Sequence, residues 1–157
     1  MVGYFVLVEL PYSISQSLFS VSSANRSNDP AMCKNLSQFF GVMTGIEARR
    51  IEELCAPEII KSRTITYFLN PKGAETFEDL LERAKKLLNF IKKNHDSKSV
   101  LLVTHGDFGK MIYTEFYKLP WKKVLTDFHF GNSEILYLCE NCDLSKTRLF
   151  TSKQYNH

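Results

Sequence analysis

The sequence predicts an α/β fold with a largely parallel sheet. Three observations support it: a long amphipathic helix is predicted after Thr76, an apolar strand follows at 100–103, and a further helix and strand come next. Elements that alternate in this way are typical of strands joined by helical crossovers. The length of 157 residues and the hydrophobic fraction of 44% fit a single domain with one core, spanning residues 1–157.

The first forty residues contain two predicted elements. Residues 4–10 form a continuous apolar run with Val and Phe, and a proline follows it. Such a run is typical of a buried strand. Asp29 suits a helix N-cap and Pro30 the first helical position, and apolar residues at helical spacing continue to Gly41. A strand and a helix that ends at this glycine are therefore expected.

The middle of the chain gives weaker signals. Residues 47–54 are polar and charged, and no element is assigned to them. Residues 57–71 read as an excursion from the main fold. The β-prone run 64–69 predicts one short strand within it.

The clearest element is the helix that begins at Thr76. This threonine suits the N-cap, and Asp79 stands three residues later, as in a capping box. Glu82 and Lys86 add an i,i+4 ion pair of favourable orientation, and the helix is expected to end near Asn94. One apolar stripe at helical spacing runs along it: Leu80, Leu81, Ala84, Leu87, Leu88 and Ile91.

The C-terminal half supplies the remaining predicted elements. A buried strand at 100–103 stops at Thr-His-Gly, and a helix follows over 108–119 until Pro120 closes it. Residues 135–139 and 148–151 predict two further strands.

His105 is the most informative candidate residue. Polar side chains just beyond the carboxyl ends of parallel strands line the ligand crevice of α/β sheets, and His105 stands at such a position. Gly106 lets the backbone approach a ligand closely. The alternative is a hydrogen-bonded histidine that caps the strand, and the local pattern favours neither.

Charge and composition exclude several function classes. The net charge is +3 and the lysine pairs are dispersed, so no nucleic acid is expected. The N-terminal apolar run is too short to span a bilayer and lacks a basic leader, which predicts no membrane contact and a cytoplasmic protein. The four cysteines are expected to be reduced. Cys139 and Cys142 form a C-x-x-C without a second ligand pair, so no metal is predicted.

Five blocks of the chain follow one another at characteristic distances. They are residues 73–80, with Glu75-Thr76 at a helix start; Arg83 within that helix; residues 100–106, ending in Thr-His-Gly; residues 132–133, before a strand; and Ser22, four residues before Arg26. Together they resemble the histidine phosphatase superfamily, in its phosphoglycerate mutase-like branch. The resemblance implies three layers, with a mostly parallel central sheet flanked by helices.

The resemblance also implies phosphoryl transfer without a metal or cofactor, on phosphate or a small phosphoester. In that family one histidine attacks phosphorus, a second histidine and two arginines surround the phosphate, and a carboxylic acid protonates the leaving oxygen. His105 matches the second histidine and Arg26 the second arginine. The remaining matches are Glu53 as the acid, with Glu52 beside it leaving the register open, and Ser22, Glu75 and Gly106 as substrate-binding residues. The sequence is also compatible with a homodimer.

One family motif has no match in this chain. The family begins with a strand that ends in Arg-His-Gly and supplies the nucleophile, whereas Glu9-Leu10-Pro11 stands there and no histidine precedes Arg26. Residues 1–19 are therefore divergent or replaced, and the fold is expected to be shortened at the N-terminus. Three explanations stay open: an inactive or severely impaired relative, a shortened gene model or alternative first exon, and an active phosphatase or mutase working through His105 and Arg26.

Overall fold

Strands and helices alternate along the part of the chain that the computed structural model describes, namely residues 4–9, 41–55, 58–63, 65–95, 99–129, 131, 133–139 and 148–151. The strands are β1 (Tyr4–Glu9), β2 (Ile59–Lys61), β3 (Thr66–Phe68), β4 (Ser99–Thr104), β5 (Ile135–Cys139) and β6 (Arg148–Phe150). The α-helices are α1 (Ala48–Cys55), α2 (Phe77–Asn94), α3 (Gly106–Tyr117) and α4 (Trp121–Asp127), and a 3₁₀ turn covers Gly41–Met43.

The main sheet has the strand order β4-β1-β5-β6. β1 and β4 are parallel, whereas β5 runs antiparallel to both β1 and β6. The predicted α/β class is confirmed, but the described sheet is mixed where a mostly parallel one was expected. The short connection explains why β6 is antiparallel to β5. Residues 140–147 between these strands are fewer than the dozen or so that a parallel crossover needs.

The two faces of this sheet differ in burial. Leu102 of β4 and Leu136 and Leu138 of β5 are fully buried in the core. Leu101 and Ile135, their neighbours on the opposite face, are exposed. Since side chains alternate along a strand, Leu102, Leu136 and Leu138 place the core on one face, while Leu101 and Ile135 show that part of the other face is exposed.

Helix α2 forms for the reasons that its sequence predicts. The Thr76 side chain accepts a hydrogen bond from the Asp79 backbone, and the Asp79 carboxylate accepts one from the Thr76 backbone, so both halves of the capping box are present. Leu80, Ala84 and Ile91 are buried, and this face packs against α3. The predicted long helix is confirmed.

Two helices and one strand differ from expectation. The charged residues 47–54, left unassigned, lie in α1. Helix α3 ends at Tyr117 with Lys118 as its C-cap, before the predicted stop at Pro120, and Pro120 stands instead as the N-cap of the unpredicted α4. The predicted strand within 64–69 is confirmed as β3, and the unpredicted β2 pairs with it in a small antiparallel hairpin.

The predicted helix from Asp29 to Gly41 lies outside the described residues. Gly41 itself begins the 3₁₀ turn that covers Gly41–Met43. Its φ is +51°, and a Cβ there would lie 2.2 Å from the Ala74 backbone nitrogen. The Val42 amide donates to the Lys72 carbonyl at 3.0 Å. Only glycine fits this approach, so the turn is held against the loop that leads into α2.

Among the described helices, none has the length and apolarity that a membrane span requires.

Candidate functional site

The ends of three strands meet at one edge of the main sheet. Glu9, the last residue of β1, pairs with Thr104, the last residue of β4, so the parallel strands end side by side. Val8 pairs with Ile135 at the start of β5, and Glu134 directly precedes that strand. We call this edge, formed by Glu9, Thr104, His105 and Glu134, the strand-end edge.

His105 links this edge to helix α3. It is the N-cap of α3, with extended backbone angles of φ −102° and ψ 159°, and it is half-buried. Its carbonyl accepts the Gly109 amide at 2.8 Å, whereas its side chain makes no capping hydrogen bond to the helix. The imidazole is therefore not used to start α3. Because the positive end of the helix dipole lies here, the location favours an anion.

Glu134 is a buried carboxylate at the same edge. It is 3% exposed, and its Oε2 accepts a hydrogen bond from the Gly131 backbone nitrogen at 2.8 Å. Sequence reasoning did not single it out, although an acidic residue directly before an apolar strand is a usable signal. Its charge opposes a second anion at the strand-end edge, in contrast to the α3 N-terminus.

A second group missed from the sequence lies in the first two turns of α3. Lys110 is 2% exposed, and its Nζ donates to the Tyr67 hydroxyl at 2.7 Å. Its Nζ also lies 3.6 Å from Oδ1 of Asp107, whose side chain is one-third exposed. Burial raises the pKa of Asp107, and the positive charge of Lys110 acts in the opposite direction. The available signal was a lone lysine within an otherwise apolar helical stretch.

Glu75 is engaged in an ion pair. Its Oε1 lies 2.6 Å from Nε of Arg83, and Nη2 of Arg83 donates to its Oε2 at 3.0 Å. Both side chains are largely buried, and the Arg83 guanidinium stacks 4.5 Å from the ring centre of Phe108 in α3. The pair therefore fixes the start of α2 against α3. A substrate-binding role for Glu75 stays a prediction.

Glu53 and Glu52 have different surroundings on α1. Glu53 is exposed, whereas Glu52 is half-buried and forms an ion pair with Lys61 of β2. Helix α1 itself packs against β3. The structure thus separates the two glutamates by environment, and the role of Glu53 as the acid stays a prediction.

The remaining sequence predictions concern Ser22, Arg26, Gly106, metal ligands and the cysteines. Ser22 and Arg26 lie outside the described residues, while Gly106 is half-buried and opens α3. Within the described ranges, no cluster of His, Cys, Asp and Glu could hold a metal ion. Cys139 is disulfide-bonded, which differs from the expectation that the cysteines are reduced.

Comparison with known proteins gives a consistent result. The sequence model of the histidine phosphatase superfamily (branch 1) matches residues 28–143. The fold is similar to that of Bacillus stearothermophilus YhfR, with a TM-score of 0.56 and 15% identity over 86% of this chain and 90% of that one. It is also similar to the Rv3214 product of Mycobacterium tuberculosis, with a TM-score of 0.58 and 12% identity over 95% and 96% of the two chains. No curated protein sequence matches the chain.

Proposed function

Because the chain belongs to the histidine phosphatase superfamily (branch 1), we propose that it binds phosphate or a small phosphoester at the strand-end edge and turns it over poorly or not at all. Family membership supports phosphatase-like or mutase-like chemistry. The loss of turnover is the part that this chain's own residues suggest.

The pairing of β1 with β4 carries this proposal. Glu9 of β1 pairs with Thr104 of β4. In the sequence, Leu10 follows Glu9 and His105 follows Thr104. In the Arg-His-Gly motif of the histidine phosphatase family, the nucleophilic histidine would stand at the position of Leu10 and the arginine at that of Glu9. Leucine has no lone pair with which to attack phosphorus, so the covalent phosphoenzyme has no nucleophile there.

Phosphate can bind to this site without the nucleophilic histidine. His105 and Arg26 would supply donors to the phosphate oxygens, and the N-terminus of α3 adds a partial positive charge beside His105. Ser22, Gly106 and Glu75 complete the proposed contacts, and Glu53 remains the proposed acid. The carboxylate of Glu134 reduces the affinity, because it places a like charge at the same edge.

The test compares binding and turnover in one set of proteins. Calorimetric titration with inorganic phosphate should show binding by the wild type that weakens roughly tenfold in His105→Ala and in Arg26→Ala, as expected for the loss of a charge-assisted hydrogen bond. His129→Ala is the matched control, since His129 is an exposed histidine after α4. Hydrolysis of an aryl phosphate by the wild type should not exceed that of His105→Ala.

The alternative is an active phosphatase or mutase that works through His105 and Arg26. It is favoured by the position of His105, which stands between the end of β4 and the N-terminus of α3. In this reaction an imidazole nitrogen forms a bond to phosphorus as the bond to the alcohol oxygen breaks, and water then releases phosphate. An acid-labile phosphate on His105, detected by mass spectrometry after incubation with the aryl phosphate, would establish this alternative and refute the loss of turnover.

A further inference from the structure

We propose that Lys110 is an anion-binding residue beside the strand-end edge. Its ammonium would bind an oxyanion at the position that the Asp107 carboxylate now occupies. The ligand class is a tetrahedral oxyanion, such as the phosphoryl group of a phosphate monoester. This inference rests on the proposed function and deepens it, because it names a cation that neither the sequence motifs nor the family comparison assigns.

The first step is the set of contacts that the described residues make with the Lys110 ammonium. An ammonium group has three N–H donors, and burial is costly unless its charge is paired and hydrogen-bonded. Lys110 is 2% exposed, yet its described partners are one hydrogen bond, to Tyr67, and one ion pair of 3.6 Å, to Asp107. Among the described residues the 3.6 Å ion pair is the looser of the two contacts, so it is the one that an incoming anion can replace.

The second step is the order of these groups from solvent inward. The Asp107 side chain is one-third exposed and the Lys110 side chain is almost fully buried, although the two lie one helical turn apart. The carboxylate is therefore the outer member of the pair. A rotation of the Asp107 side chain into solvent would open the ammonium to a ligand without moving the backbone of α3.

The third step is the electrostatic setting. Asp107 is the second residue of α3 and follows His105 by two positions, so an anion at its carboxylate position would meet the helix N-terminus, the ammonium and the neighbourhood of His105. A phosphoryl dianion carries more charge than a carboxylate and forms stronger charge-assisted hydrogen bonds. The Asp107 carboxylate then acts as an internal competitor for the same cation.

The fourth step is the rigidity of the cation. Tyr67 is 4% exposed, its hydroxyl accepts from Lys110 Nζ, and its ring centre lies 4.9 Å from the same nitrogen. The Tyr67 ring also packs edge-on against Phe77 of α2. Lys110 is thus held between β3 and α3, so an incoming anion meets a fixed ammonium.

The experiment is a titration with sodium sulfate, which remains a dianion throughout the neutral and weakly acidic range. Asp107→Asn should bind sulfate about fivefold more tightly than the wild type, because it removes a like charge at contact distance. Lys110→Met should bind roughly tenfold more weakly, because it removes a charge-assisted donor. The double variant should bind sulfate more weakly than Asp107→Asn does, since the tighter binding of that variant uses the Lys110 ammonium.

Two controls keep the result interpretable. Lys118→Met removes an exposed lysine at the far end of α3 and should leave sulfate affinity unchanged. If Lys110→Met does not fold, as judged by circular dichroism, a direct readout remains in Asp107→Asn. With ¹³C-labelled lysine, the ε-carbon resonance of Lys110 should shift with sulfate occupancy and that of Lys118 should not.

The outcomes separate this inference from the proposed function. If Asp107→Asn binds no more tightly than the wild type, or if the double variant keeps the tighter binding, the role of Lys110 is refuted. The proposed function would still stand when His105→Ala weakens phosphate binding. Conversely, the expected pattern at Asp107 and Lys110 with no effect of His105→Ala would support the Lys110 site and refute the proposed pocket at His105.

Discussion

Asp107 shows how one residue experiences two opposing electrostatic effects. Burial in the first turn of α3 disfavours its ionised form, while the nearby Lys110 ammonium favours it, and burial is the larger effect. The pKa of Asp107 is therefore raised. Because a raised pKa means that the folded protein binds the proton more readily than the unfolded chain does, ionisation of Asp107 lowers stability as pH rises.

We predict that Asp107→Asn has a larger free energy of unfolding than the wild type at pH 7. The advantage should shrink as pH falls through the raised pKa, and it should vanish below the unfolded value of about 4, where the wild-type side chain is also neutral. Urea denaturation at a series of pH values measures the difference. The facing groups Lys110, Tyr67 and His105 are the same in both proteins, so the difference reports on the side chain at position 107. A difference that is constant with pH would contradict the raised pKa.

His105 and Lys110 also show what single residues reveal in a sequence. His105 was predicted as a site residue, because its position after a short apolar strand is a local signal. Lys110 was missed because its hydroxyl partner, Tyr67, is 43 positions away in sequence. Glu134 was missed for a similar reason: its place at the strand-end edge follows from the antiparallel pairing of β5 with β1.

At the scale of elements, the ends of helix α2 are stabilised by residues of its own sequence. Its N-terminus is closed by a complete capping box, in which hydrogen bonds from Thr76 lower the pKa of Asp79. Lys92 and Lys93 occupy its last turn, where positive charge is favourable. These local features explain why the helix could be predicted from the sequence.

We predict that Thr76→Ala lowers the free energy of unfolding by about 1 kcal/mol at neutral pH, the usual loss for an N-cap threonine. The reason is that the Asp79 amide loses its acceptor while the start of the helix remains otherwise intact. Glu78→Ala is the control, because Glu78 is an exposed first-turn residue outside the capping box. Chemical denaturation followed by circular dichroism gives both values, and equal losses in the two variants would argue against the cap.

The elements that escaped prediction depend on tertiary contacts. β2 has three residues and exists as a strand through its pairing with β3. Helix α1 has eight residues, half of them charged, and it packs against β3. Pro120 was read as a stop signal, whereas proline is also compatible with a helix start, and α4 begins directly after it. Short elements of this kind carry too few residues for a period to be recognised.

At the scale of the whole molecule, the register of the main sheet determines both the site and the core. The parallel pairing of β1 with β4 brings their ends to one edge, and the alternation of side chains along β4 sends Leu102 to the core face. The sequence predicted the strands but not their order, because pairing depends on residues far apart along the chain. The mixed direction of the sheet was missed for the same reason.

This difference between the two faces can be tested with neighbouring leucines of one strand. Leu102 is 3% exposed and Leu101 is 51% exposed, so they report on opposite faces with the same side chain. We predict that Leu102→Ala lowers the free energy of unfolding by about 3 kcal/mol, from lost burial and the cavity left behind, whereas Leu101→Ala lowers it by less than about 1 kcal/mol. Both values come from urea denaturation under identical conditions. Similar losses would mean that the face bearing Leu101 is covered in solution, by another part of the chain or by a second copy. If the loss in Leu101→Ala depends on protein concentration, a second copy covers this face; if it does not, another part of the same chain does.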